Sequence, residues 1–133
     1  MKTEADVLDD MRKVLTYDAL TTAISGQIYD DMRPTNSKKE DVFVRVKALD
    51  SEQVQTAIVS VHLYVAKKLR QGDKIRDKKR IRTLAPIIAN RLNHYQDEAE
   101  GWHLSLTNQY VEDAADEDFS VIIHNIIYNH CNN

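Results

Sequence analysis

The chain has 133 residues, with 18 basic and 21 acidic side chains and a formal net charge of -3. That length suits one domain with its own core and excludes two ordinary ones. With 42% hydrophobic residues, 3 glycines and 2 prolines, the collagen-like, low-complexity and disordered classes are excluded as well. The lone Cys131 excludes a disulfide framework, and no cysteine–histidine spacing suggests zinc. Met1 to Asp6 turns acidic at once, unlike a signal peptide. The longest apolar stretch, Val54 to Val65, is interrupted by Gln55, Thr56, Ser60 and His62 and is too short for a membrane span. A soluble protein of a reducing compartment, with no membrane partner, is expected.

From Thr3 to about Ile24 the pattern is helical. Leu8, Met11 and Leu15 recur on one face, Thr3 can cap the start with Asp6 three residues on, and Asp18 opens a second short turn. Ser25-Gly26 supplies a stop. Gln27 to Asp30 reads as extended, and Met32 to Ser37 as a loop. From Val42 the period is two: Val42, Val44, Val46 and Ala48 share a face against Phe43, Arg45, Lys47 and Leu49. After the polar turn Asp50-Ser51-Glu52 comes a longer strand from Val54 to Val65. It has Ala57, Val59, Val61, Leu63 and Val65 on one side and Ile58, Ser60, His62 and Tyr64 on the other. The two strands predict an antiparallel hairpin.

Residues Ala66 to Lys79 read as a charged connection. Helical spacing returns at Ile81, Leu84, Ile88, Leu92 and Tyr95, and Pro86 favours an ordered helix only from about Leu84 to Gln96. Gly101 closes an acidic turn. Trp102, Leu104 and Leu106 then alternate with His103, Ser105 and Thr107, and the acidic turn Glu112 to Asp118 leads to a strand from Phe119 to Tyr128. Both faces of that strand are apolar, so it is expected to lie centrally or to meet another subunit. The expected fold is one α+β domain over residues 1–133. Its sheet is mostly antiparallel, with about four to five strands and two main helices on one face, in the order α-β-β-β-α-β-β.

No nucleophile elbow, phosphate-binding loop, metalloprotease motif or dinucleotide fingerprint occurs. His62 and His124 would face one another if their strands were neighbours, but without paired ligand spacing they read as polar-face residues, as do His103, His94 and His130. The carboxylates sit in turns, where burial cannot raise a catalytic pKa. No catalytic residue, cofactor or metal is expected.

Charge is distributed unevenly. Lys67 to Arg82 holds nine basic residues (Lys67, Lys68, Arg70, Lys74, Arg76, Lys78, Lys79, Arg80, Arg82) against Asp73 and Asp77. Asp97 to Asp118 holds eight acids (Asp97, Glu98, Glu100, Glu112, Asp113, Asp116, Glu117, Asp118) and no Lys or Arg. Such a chain can join copies of itself head to tail and close a ring. The basic run also matches a nucleic-acid backbone, although no aromatics interleave with it and the net charge is negative.

Leu15-Thr16-Tyr17-Asp18-Ala19-Leu20, then Ile24-Ser25-Gly26-Gln27-Ile28-Tyr29-Asp30 and Arg33-Pro34, resemble the opening of the bacteriophage tail-completion proteins, the tail terminator or head–tail joining group. The order of elements that follows is similar too, with a hairpin, a helix with a Leu-Ala core, and two closing strands. The resemblance implies a structural virion protein without catalysis, assembled in the bacterial host cytoplasm. It implies a ring, expected to be six-fold, that caps the tail tube and faces the neck or connector. The expected contact residues are Lys67, Lys68, Arg70, Lys74 and Arg76 on the basic run, and Ile122, Ile126 and Tyr128 on the last strand. Two alternatives stay open: another phage neck or head-closure component, and a small nucleic-acid-binding module using residues 67–82. An enzyme ranks last, for want of convergent polar groups.

Overall fold

A computed structural model of the chain describes residues 1–113 and 118–131. Helix α1 (Glu4–Leu15) starts where the sequence says it should. The Thr3 hydroxyl accepts from Asp6 N, and the Asp6 carboxylate accepts from Thr3 N at 2.8 Å, closing a capping box. Val7, Met11, Val14 and Leu15 are its buried face, and α2 (Asp18–Thr21) adds Leu20. Strand β1 (Ile28–Tyr29) pairs in parallel with β2 (Val42–Leu49), which pairs antiparallel with β3 (Val54–Ala66).

The expected faces of β3 are correct: Ala57, Val59, Val61, Leu63 and Val65 are all buried. Those of β2 hold only to Val46. A bulge there leaves Lys47 unpaired and sets Ala48 against Ile58 and Leu49 against Ala57, so the last two residues exchange faces.

The connection after β3 is not irregular. It forms a two-stranded arm, β4 (Lys68–Arg70) and β5 (Asp73–Ile75), around Gln71 and Gly72, both with positive φ. Helix α3 (Lys78–Leu92) begins six residues earlier than Pro86 suggested, at a cap where Asp77 accepts from Arg80 N at 3.1 Å. Pro86 is tolerated inside it because it lies on the exposed side; the carbonyl it leaves unmatched belongs to Arg82, also exposed, where solvent takes the bond.

Strand β6 (Gln96–Asp97) is short, while β7 (Trp102–Asp113) and β8 (Phe119–Cys131) are long. The sheet runs β1-β2-β3-β8-β7-β6, with β8 central as its apolar character requires. The expected fold class therefore needs correction. Of the described residues 44% are strand and 24% helix, in a curled, mixed sheet of six strands with three helices and a separate arm, not an α+β layer of four or five strands. The excess of strand lies in stretches read as turn or connection: the arm, β6, and the second half of β7.

The core lies between α1, α3 and the inner sheet face formed by Val44, Val59, Val61, Ile122 and Ile126. At one end Tyr95, Trp102 and Tyr128 stack with ring centroids 5.5 and 5.3 Å apart. The Tyr128 hydroxyl donates to the buried Asp10 at 2.6 Å, and Lys2 balances that carboxylate at 3.1 Å. Among the described residues no helix is long and apolar enough to cross a membrane.

His124 lies on this inner face, fully buried, with its Nε2 at 2.6 Å from the Gln109 amide nitrogen. Burial lowers its pKa to about 4. Between about pH 6.5 and 4 the unfolded chain therefore binds a proton that the native chain does not, and stability falls as pH falls. His62 acts in the same direction, depressed by burial and then by Lys47 and Arg45. Denaturant titrations should show up to about 3 kcal/mol lost across this window, and His124→Leu should flatten most of the slope. An unchanged slope in the variant would contradict this assignment.

Candidate functional site

Three residues of the resembling stretch, Gly26, Gln27 and Arg33, help to anchor one loop. Between β1 and β2 the chain folds over the upper, outer sheet face, and Asp41 holds it there. Buried, Asp41 accepts from Gln27 N at 3.2 Å, from Arg33 Nε at 3.0 Å and from the Ser37 hydroxyl. The Arg33 guanidinium lies 4.2 Å from the Tyr64 ring centroid and 4.5 Å from that of Phe119, and it donates to the Ser37 and Lys39 carbonyls. Gly26 leaves room for this: a Cβ there would lie 2.1 Å from Asp41 Oδ1 and 2.5 Å from the Glu40 carbonyl. Arg80 of α3 ties the same loop down through Nε and Nη2, each 2.7 Å from a Glu40 oxygen. Gly26→Ala should cost about 1–3 kcal/mol in chemical denaturation, as overpacking against fixed backbone does; a neutral result would refute the close approach.

Under this loop the second apolar face of β8 finds its cover. Phe119, Val121 and Ile123 point outward yet are buried, and the last two line a shallow groove of about 590 Å³ with Arg33, Pro34, His62 and Tyr64. The inner-face residues Ile122, Ile126 and Tyr128 are wholly buried in the chain's own core. The expectation that these three form a subunit contact is corrected: they have no surface to offer. Ile126→Ala should lower stability by about 2–5 kcal/mol, measured by denaturation. A variant of native stability with altered self-association would restore the contact role.

His62 and His124 do not come face to face, and His124, fully buried on the inner face, is not the polar-face residue expected. β3 and β8 are neighbours, but the register sets His62 against Ile123 and Val61 against His124, so the two imidazoles occupy opposite faces. Among the described residues no group of three or more potential ligands could hold a metal.

The basic run and the acidic zone are rearranged as well. The strand register puts Ala66 beside Phe119 and Asp113 beside Ser120, so the arm, Asp113 and Asp118 share one end of the sheet. There they pair within the chain. Asp113 sits 3.4 Å from Lys67 and 3.3 Å from Arg76; Asp118 is bound by Lys74, with Lys38 at 3.9 Å. The Arg76 hydrogen bond, then Lys67, lowers the Asp113 pKa; the Lys74 hydrogen bond lowers that of Asp118. Residues 114–117 of this acidic turn lie outside the described residues. Lys67, Lys74 and Arg76 are thus engaged at the root of the arm. Lys68 and Arg70, both exposed, form no ion pair with the described residues. The arm and the end of β7 enclose a groove of about 500 Å³ lined by Lys67, Lys68, Arg70, Lys74, Arg76 and Lys78, with Asp113 as the sole acid among the described residues lining it.

The rest of the acidic zone lies at the opposite end. Val54 pairs with Cys131, whose N donates to the Gly101 carbonyl at 3.1 Å, so the turns 50–53 and 97–101 and the start of α1 share that pole. It carries Glu4, Asp6, Asp50, Glu52, Asp97, Glu98 and Glu100; the nearby Lys2 is largely buried between Asp10 and Glu100. Thirteen strand residues separate the poles, about 40 Å along β3. Gln71-Gly72 was the one sequence signal for the arm, a polar–glycine pair between short alternating runs. No family model and no curated protein matches the chain.

Proposed function

We propose that the chain is a structural subunit that assembles with copies of itself into a closed ring, as in the phage tail-terminator or head–tail joining proteins it resembles. In that role it caps a tail tube or joins it to the neck, within the virion, and performs no catalysis. The observation that carries this reading is the separation of charge along the sheet: a basic groove at one pole and an acidic set of turns at the other. Complementary surfaces at opposite ends of one molecule favour a heterologous contact, which closes into a ring when the rotation between copies permits.

The loop between β1 and β2, which includes Arg33-Pro34 of the resembling stretch, supports the same role. Gly26, Arg33 and Asp41 fasten it rigidly, as a part that must keep its shape in an assembly requires. The groove also supports a second reading, a nucleic-acid-binding module on residues 67–82, because six cations line one cavity.

Light scattering and electron microscopy of the full chain test the first reading. Closed rings are expected at low salt, dissociating as ionic strength rises toward about 1 M, where the screening length falls to about 3 Å. A chain that stays monomeric at high concentration and low salt would contradict it. Tight binding of duplex DNA with a steep salt dependence, and no self-association, would favour the second.

A further inference from the structure

We infer that the basic groove beside the arm receives the acidic turn 97–101 of a second copy, joining copies head to tail. The inference rests on the ring-forming reading and names the two surfaces that meet. The groove already shows its preference for carboxylates: Lys67 and Arg76 hold Asp113, and Lys74 holds Asp118. What those acids leave over, Lys68 and Arg70 on the exposed arm and Lys78 at the start of α3, has no carboxylate among the described residues.

The turn 97–101 is its complement. Gly101 at φ 75° closes it, Asp97 holds it by accepting from Glu100 N at 3.0 Å, and Glu98 to Gly101 are exposed. Glu98 meets no cation among the described residues, only the Gln96 amide at 3.5 Å. With about 40 Å of strand between turn and groove, the two cannot meet within one copy.

An apolar pair argues for a protein partner over a polyphosphate. Leu69, on the arm between Lys68 and Arg70, is 72% exposed, and a two-stranded arm with no core beneath it is marginal on its own. A phosphate backbone offers Leu69 nothing. The acidic pole offers Val54, 57% exposed, on the strand residue paired with Cys131 beside Gly101.

Two charge-reversed full-length variants test the contact, with circular dichroism confirming that each folds. K68E/R70E spoils the groove and keeps the turn; E98K/E100K spoils the turn and keeps the groove. Each alone should associate at least about tenfold more weakly than the native chain in sedimentation velocity, since like charges then oppose across the interface. An equimolar mixture should restore assembly with the two variants alternating, because the native groove of one meets the native turn of the other and the two reversed surfaces are complementary as well. All four changes in one chain should restore assembly.

Native-like assembly by either two-site variant, in rings that the native chain also forms, overturns the groove–turn contact and leaves the ring reading standing. A native chain that never self-associates defeats the ring reading itself. Unchanged assembly of K68E/R70E with lost binding of a 20-base-pair duplex would reassign the groove to phosphates.

Discussion

Asp113 and Asp118 grip Lys67, Lys74 and Arg76 where the arm leaves the sheet, and the distribution of charge over the molecule depends on that grip. Without it, the basic run would be a strand of like charges repelling one another on a short hairpin with no core. With it, the charge at the arm root is largely balanced, and among the described residues the cations of the run left without a carboxylate are Lys68, Arg70, Lys78, Lys79 and Arg82. At the opposite pole Glu98 meets no cation among the described residues. Polarity along the sheet is thus a consequence of folding, established when β7 and β8 bring Asp113 and Asp118 to the end of β3.

The scaffold that keeps the poles apart is the thirteen-residue pairing of β3 with β8, continuous from Val54 to Ala66. Its inner face is sealed by α1 and α3. Its outer face is sealed in part by the loop that Asp41, Arg33 and Arg80 pin down. These charge-assisted bonds are buried or partly buried, so salt screens them far less than the exposed groove. Rising ionic strength should therefore loosen contacts between copies well before it loosens the fold.

Much of the scaffold was legible because local chemistry and tertiary context agree there. The Thr3–Asp6 cap, the faces of β3 and the central place of β8 follow from residue type and period alone. The rest was hidden for identifiable reasons. Pro86 looked like a helix start because nothing in the local pattern reveals that its side of α3 faces solvent. The arm was hidden because five of its eight residues are polar and its one turn signal is Gln71-Gly72. Ile122, Ile126 and Tyr128 seemed available to a partner because two-sided apolar character does not say what covers each side; here it is α1 and α3 on one and the Arg33 loop on the other. Likewise, contiguous acids in sequence were split between two poles by β7, a separation only the strand register reveals.

Carbodiimide cross-linking in low salt, on an equal mixture of 15N-labelled and unlabelled chains, tests the polarity most directly. It joins a lysine to a carboxylate in contact, and mass spectrometry tells links within a chain from links between chains. The account predicts mixed-isotope links between Lys68 or Lys78 and Glu98 or Glu100, beside same-isotope links from Lys67 and Lys74 to Asp113 and Asp118. Mixed-isotope links confined to Asp113 and Asp118, with Glu98 and Glu100 unlinked, would contradict it.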